Sequence, residues 1–184
     1  METLFLSAVV VAIAEIGDKT QLLALILATR FRNAPAVILG ILFATIANHG
    51  IAAWVGVTVA AWLGDEILRW VIGLSFLAMA AWILVPDEAD ETPDTPARFG
   101  PFLTTLVVFF LVEIGDKTQF ATVGLAARFQ DPILVTVGTT LGMLVADVPA
   151  VLLGDVAGKR IPLKLVRGLA AALFASLGVL ALVA

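Results

Sequence analysis

The 184 residues carry 11 Lys and Arg against 15 Asp and Glu, a net charge of −4, and are 61% hydrophobic but only 14% charged, with a mean hydropathy of +1.07. Soluble domains are nearer 45–50% apolar and about 25% charged, so too little polar surface exists to coat one, and lipid is the expected solvent. With no cysteine and a single histidine, His49, disulfides, thiolate metal sites, thiol nucleophiles and any site needing two imidazoles from one chain are excluded; no basic patch suits nucleic acid.

A spanning helix needs about 20 mostly apolar residues. The first candidate, 3–29, opens with METLFLSAVVVAIA, which imitates a signal peptide. Glu2 stands where a positive n-region belongs, and a similar apolar run with the same polar heptapeptide recurs at 102–119, so the segment is read as a membrane helix. Further helices are predicted at 36–60, after Asn33 and Pro35, and at 65–85, after a weak break at Gly64, Asp65 and Glu66. Residues 86–100 are an acidic, proline-rich linker. The second part, 101–184, holds predicted helices at 101–127, 133–156 and 162–183.

The halves 1–85 and 101–184 repeat. EIGDKTQ at 15–21 returns at 113–119, and the same offset aligns Arg30-Phe31 with Arg128-Phe129, Gly40 with Gly138, His49 with Asp147 and Gly56 with Gly154. The third helices align less well, Gly73 meeting Gly168 only after a three-residue shift. Three helices per half is an odd number, so the second half is expected upside down. The fold predicted is an all-α integral membrane protein of six transmembrane helices in two inverted three-helix repeats, a plan that puts sites near the midplane. Arg30, Arg32, Arg98, Lys159, Arg160 and Lys164 fall on one side against Arg69 and Arg128 on the other. The excess marks the cytoplasmic side, with both termini extracytoplasmic and the linker inside.

Ionisable groups inside a membrane helix cost roughly 2.5–3.5 kcal/mol each on insertion scales and need a reason. Glu15, Asp18 and Lys19, like Glu113, Asp116 and Lys117, are spaced i, i+3, i+4 and would share one helix face. Four carboxylates and two ammonium groups sum to −2, which one divalent cation or two protons would neutralise. Alternation between them describes an antiporter. With Thr20, Gln21, Thr118 and Gln119 as additional ligand candidates, the donors are hard oxygens suited to Ca²⁺, Mg²⁺ or Mn²⁺. Gly17 and Gly115 could let each helix unwind and release carbonyl ligands. The alternative for the lysines is an intrahelical salt bridge that only locks helices; as tuners they would stand in for the cation in an empty site. His49 and Asp147 are either proton relays or hydrogen-bonded packing residues. Asn48 suits helix–helix hydrogen bonding, Asp65 and Asp155 an interfacial position, and Trp54, Trp62, Trp70 and Trp82 packing or interface anchoring.

The twice-written E-apolar-G-D-K-T signature resembles that of the Gdt-type cation/proton exchangers, the second calcium:cation antiporter family. That family includes Golgi manganese and calcium transporters and bacterial MneA-type manganese exporters. The likeness covers essentially the whole chain. It implies transport of Mn²⁺ or Ca²⁺ as substrate with H⁺ as counter-ion, no cofactor, and a metal site of Glu15, Asp18, Glu113 and Asp116. The compact chain is expected to be bacterial, in the inner membrane, which puts Mn²⁺ before Ca²⁺. Nothing in the sequence calls for a homo-oligomer. The rivals are a passive cation channel, which would need a continuous path, and an intramembrane enzyme using a carboxylate pair.

Overall fold

The computed structural model describes residues 1–85, 99–153 and 163–183. The linker from 86 to 98, with Arg98, and the stretch holding Gly154, Asp155, Lys159 and Arg160 lie outside the described residues. Those described are helical without a strand: α1 Glu2–Glu15, α2 Lys19–Phe31, α3 Ala34–Leu63, α4 Asp65–Ile83, α5 Gly100–Glu113, α6 Lys117–Phe129, α7 Pro132–Leu153 and α8 Leu163–Val183. Among them three stretches are long and apolar enough to cross a membrane: 34–83 taken across Gly64, Pro132–Leu153, and Lys164–Val183. Gly100–Glu113 is a shorter apolar helix.

The sequence leaves open whether the helices over 3–29 and 101–127 unwind at Gly17 and Gly115. Each is two helices, broken inside the heptapeptide. Ile16 is extended (φ −61, ψ 114), Gly17 has φ +82, and Asp18 (φ −82, ψ 168) caps α2. The second copy repeats this at Ile114 (φ −66, ψ 119), Gly115 (φ +80) and Asp116 (φ −78, ψ 164). The physical cause is local. A positive φ suits glycine alone at little cost, and an aspartate one residue later satisfies the orphan N–H groups of a new helix start. Helical periodicity therefore stops at residue 15, and the i, i+3, i+4 face expected for Glu15, Asp18 and Lys19 does not exist.

The duplication extends beyond the motif. α2 ends on left-handed Arg32 and α6 on left-handed Gln130. Asn33 then accepts from Ala36 N–H at 3.2 Å, and Asp131 from Leu134 N–H at 3.0 Å. Crossings repeat too. A Cβ on Gly40 of α3 would come 2.6 Å from Thr105 Cβ of α5, and one on Gly138 of α7 would come 2.8 Å from Ser7 Cβ of α1. Farther along, Asn48 meets Phe110 and Gly56 meets Val123 and Ala126, so α3 follows α5 and then α6. α7 follows α1 and then α2 in the same way, Gly142 meeting Ala8 and Ala146 meeting Gln21. Gly73 of α4 packs on Leu182 and Gly178 of α8, while Gly168 has no such neighbour.

Two apolar clusters hold this frame, one around Ile72, Phe76, Leu125 and Phe174, the other around Val11, Ile41, Phe109 and Met143. The perimeter is apolar as well: Phe5, Phe43, Ile51, Trp54, Trp62, Ile133 and Val145 are exposed, whereas Glu15, Asn48, His49, Glu113 and Asp147 are buried. Buried carboxylates within an apolar perimeter are the arrangement of a protein solvated by lipid.

Candidate cation site

The two breaks bring the two motifs together. Glu15 ends α1 and Glu113 ends α5, both fully buried. A helix C-terminus carries about half a negative charge, so two glutamates on two such ends make a strongly cation-attracting place. Glu15, Glu113 and Asp116 each offer a carboxylate oxygen, and the three lie within 4.8 Å of one another. All-oxygen donors at this spacing suit a hard divalent cation.

Asp116 also pairs with Lys19 Nζ at 3.1 Å. The bridge joins one motif to the other, in place of the intrahelical pair that spacing alone suggests. Asp18 caps α2 by accepting from Lys19 N–H at 2.6 Å. Thr118 donates through Oγ1 to Glu113 at 3.1 Å, which fixes that carboxylate, while both Glu15 oxygens lack a hydrogen-bond partner. Lys117, buried, donates to the Val85 carbonyl at 3.5 Å.

The motif glutamines act as crosspieces here. Gln21 accepts from Gly17 N–H at 3.1 Å and donates to the Ala146 carbonyl at 2.9 Å. Gln119 accepts from Gly115 N–H at 2.7 Å and donates to Asn48 Oδ1, at the position equivalent to Ala146. Each glutamine thus caps its own break and ties it to the second long helix of the other half. Asn48 completes the tie by donating to the Phe110 carbonyl at 3.2 Å.

Asp147 lies within electrostatic reach of Glu15 and Glu113, and neither of its oxygens has a partner. His49 is equally buried and also unpartnered at both nitrogens. Thr20 is buried with an unpartnered hydroxyl. The sequence reading missed Arg167, which lines a cavity of about 10 Å³ with Asp18 and Lys117 beside the first break. Its only signal is a second charge, three residues after Lys164, in a mostly apolar helix. A cleft of about 920 Å³ lies elsewhere: it opens where Gly64, Arg128 and Ala181 meet and includes Asp65 and Arg69.

The sequence profile described as "Divalent cation/proton antiporter GDT1" matches residues 3–91 and 101–184. This chain belongs to the GDT1 family. A Vibrio cholerae protein described as "Putative manganese exporter" is 51% identical over 175 residues, 95% of this chain and 87% of that protein. GDT1-like protein 3 of rice (Oryza sativa subsp. indica) is 28% identical over 200 residues, 94% of this chain and 71% of its own length, and that of Arabidopsis thaliana 27% over 201 residues, 94% and 68%. No solved structure matches. A GDT1-family chain is a membrane transporter and not an enzyme, which removes the carboxylate-hydrolase alternative.

Proposed function

We propose that this GDT1-family chain exports Mn²⁺ in exchange for protons, at one site shared by its two motifs. The observation that carries the proposal is the convergence of Glu15, Glu113 and Asp116 oxygens from both halves. Asp18, the remaining motif carboxylate, stands outside that three-oxygen group and caps α2, and Asp147 adds a fifth carboxyl nearby. The manganese exporter description of the Vibrio cholerae relative supports Mn²⁺ as cargo, and the oxygen-only ligands accept Mn²⁺ and Ca²⁺ alike.

Six spans in two inverted halves fit the contacts. α3 and α5 start side by side, as do α1 and α7, while α3 begins where α2 ends. The first helices of the two halves then enter from opposite faces. With the arginine-rich ends inside, both termini are extracytoplasmic and the linker cytoplasmic. In the working cycle, a cytoplasm-open state takes the cation between the glutamates. Its charge removes the penalty of enclosing the carboxylates, one half rocks against the other, and protons replace the ion outside. Lys19, held on Asp116, occupies that carboxylate between ions.

The test is Mn²⁺ movement into proteoliposomes under an imposed pH gradient. Accumulation against the Mn²⁺ gradient, with matching proton counterflow, supports exchange. Flux that runs only downhill and ignores pH would point to a channel instead.

A further inference from the structure

Arg69 and Arg128 are the two cations on the side that the charge bias marks as extracytoplasmic, where positive residues are scarce. They are far apart in sequence, one in the second turn of α4 and the other in the last turn of α6. Both nevertheless line the same cleft of about 920 Å³, together with Asp65 and Glu66. Arg69 stands four residues after Asp65 and three after Glu66, spacings at which a helix pairs opposite charges. Neither pair forms: among the described residues, none of these four charged side chains is in an ion pair. All four are exposed to the cleft mouth, whereas Ala60, Ile72, Ala127 and Ala181 on its lining are buried and apolar.

That mixture selects its ligand. The two carboxylates oppose a simple anion, and the two arginines oppose a metal ion. A molecule carrying both charges a few bonds apart satisfies all four groups. Guanidinium forks match phosphate oxygens in bidentate fashion, and a primary ammonium has three N–H donors to offer carboxylates. The volume falls in the range of small-molecule sites, about 300–1,000 Å³. Beside the cleft, Trp62, Ile67 and Trp70 are exposed, and tryptophan marks the level at which hydrocarbon gives way to headgroups.

We propose that this cleft holds the headgroup of a zwitterionic phospholipid bearing a primary ammonium. Its phosphate sits on Arg69 and Arg128, and its ammonium on Asp65 and Glu66. A choline headgroup carries the same charges but has no N–H to donate, and a glycerol headgroup has no cation, so both fit less well. Arg69 comes from the first half and Arg128 and Ala181 from the second, so the bound lipid ties the two halves together at one end of the bundle. The cleft's place at the outer surface rests on the orientation argued above; the match of its four charges to the headgroup does not.

The test is native mass spectrometry of the full chain with an equimolar mixture of phosphatidylethanolamine, phosphatidylcholine and phosphatidylglycerol of matched acyl chains. Phosphatidylethanolamine should be retained over the other two by about threefold or more, the weight of one partly exposed charge pair. Arg69→Gln combined with Arg128→Gln should abolish that preference. Asp65→Asn combined with Glu66→Gln should turn it towards phosphatidylglycerol, because the arginines remain, and a merely misfolded protein would not invert its choice. Both double variants should keep the wild-type unfolding midpoint in lipid-free detergent, since neither removes an ion pair. Equal retention of the three lipids, or a preference that survives loss of both arginines, overturns the proposal. So does a lower midpoint in the carboxylate variant with lipid retention unchanged, which would make Asp65 and Glu66 partners of Arg69 within α4. Soluble glycerophosphoethanolamine competing as well as the lipid would reject a membrane occupant. Retention is read whether or not the protein moves Mn²⁺, so failure of cation exchange and failure of the lipid site are told apart.

Discussion

Removing Gln119 separates a structural crosspiece from a metal ligand. Its Oε1 accepts the Gly115 N–H at 2.7 Å, in the break where that N–H has left the helical ladder, and its Nε2 donates to Asn48 Oδ1. Gln119→Ala deletes both bonds. Each is worth about 0.5–1.5 kcal/mol net, and interhelical bonds in membranes average near the lower end. The loss is therefore about 2 kcal/mol, a fall of roughly 4–8 °C in unfolding midpoint if soluble domains of this size are the guide. Gln21→Ala should lose a similar amount, because it too drops a glycine N–H and a cross-half bond. Gln119→Glu keeps the acceptor for Gly115 and should recover about half of the loss. Thermal unfolding in detergent beside Mn²⁺ titration reads both quantities. An unchanged midpoint with Mn²⁺ affinity weakened tenfold or more, about 1.4 kcal/mol, would refute the crosspiece role and make Gln119 a ligand.

Other substitutions give sharp contrasts. Gly115→Ala meets no atom within 4 Å but must hold φ +80, so it should cost about 1–2 kcal/mol from backbone strain alone, seen as a lower unfolding midpoint. Gly56→Val drives a side chain into the Val123 carbonyl and against Ala126, parting α3 from α6 at about 1–3 kcal/mol or more. Gly50→Ala, whose Cβ would stand 3.8 Å from Thr136 Cγ2, should stay within about 0.5 kcal/mol. Lys19→Gln removes the cation paired with Asp116. Mn²⁺ should then bind about tenfold tighter or more and turn over more slowly, so that KM and kcat fall together in flux assays; a higher KM would show that Lys19 does not compete with the ion.

The sequence made much of this arrangement readable, for identifiable reasons. Composition announced lipid, and the EIGDKTQ repeat at a fixed offset announced duplication and nominated Glu15, Asp18, Glu113 and Asp116. The helix break was open rather than predicted. Gly17 and Gly115 advertised it, but glycine is also tolerated inside membrane helices, and only the observed positive φ decides. Once broken, the chain no longer obeys helical periodicity, so partners one turn apart in sequence gave no guide to Lys19 reaching Asp116 of the other half. Asn48 against Gln119, Arg69 sharing a cleft with Arg128, and Arg167 beside Asp18 depend on how α3, α4, α6 and α8 pack. No spacing within one helix encodes contacts of that kind.

Counting Mn²⁺ bound per chain by electron paramagnetic resonance, in the wild type beside Glu15→Gln and Glu113→Gln, tests the shared site most directly. One ion per chain, lost in both variants, is the result expected when both halves build a single site. Two ions in the wild type, or half occupancy surviving in either variant, would mean that each motif binds on its own and that the convergence of the two glutamates is not the transport site.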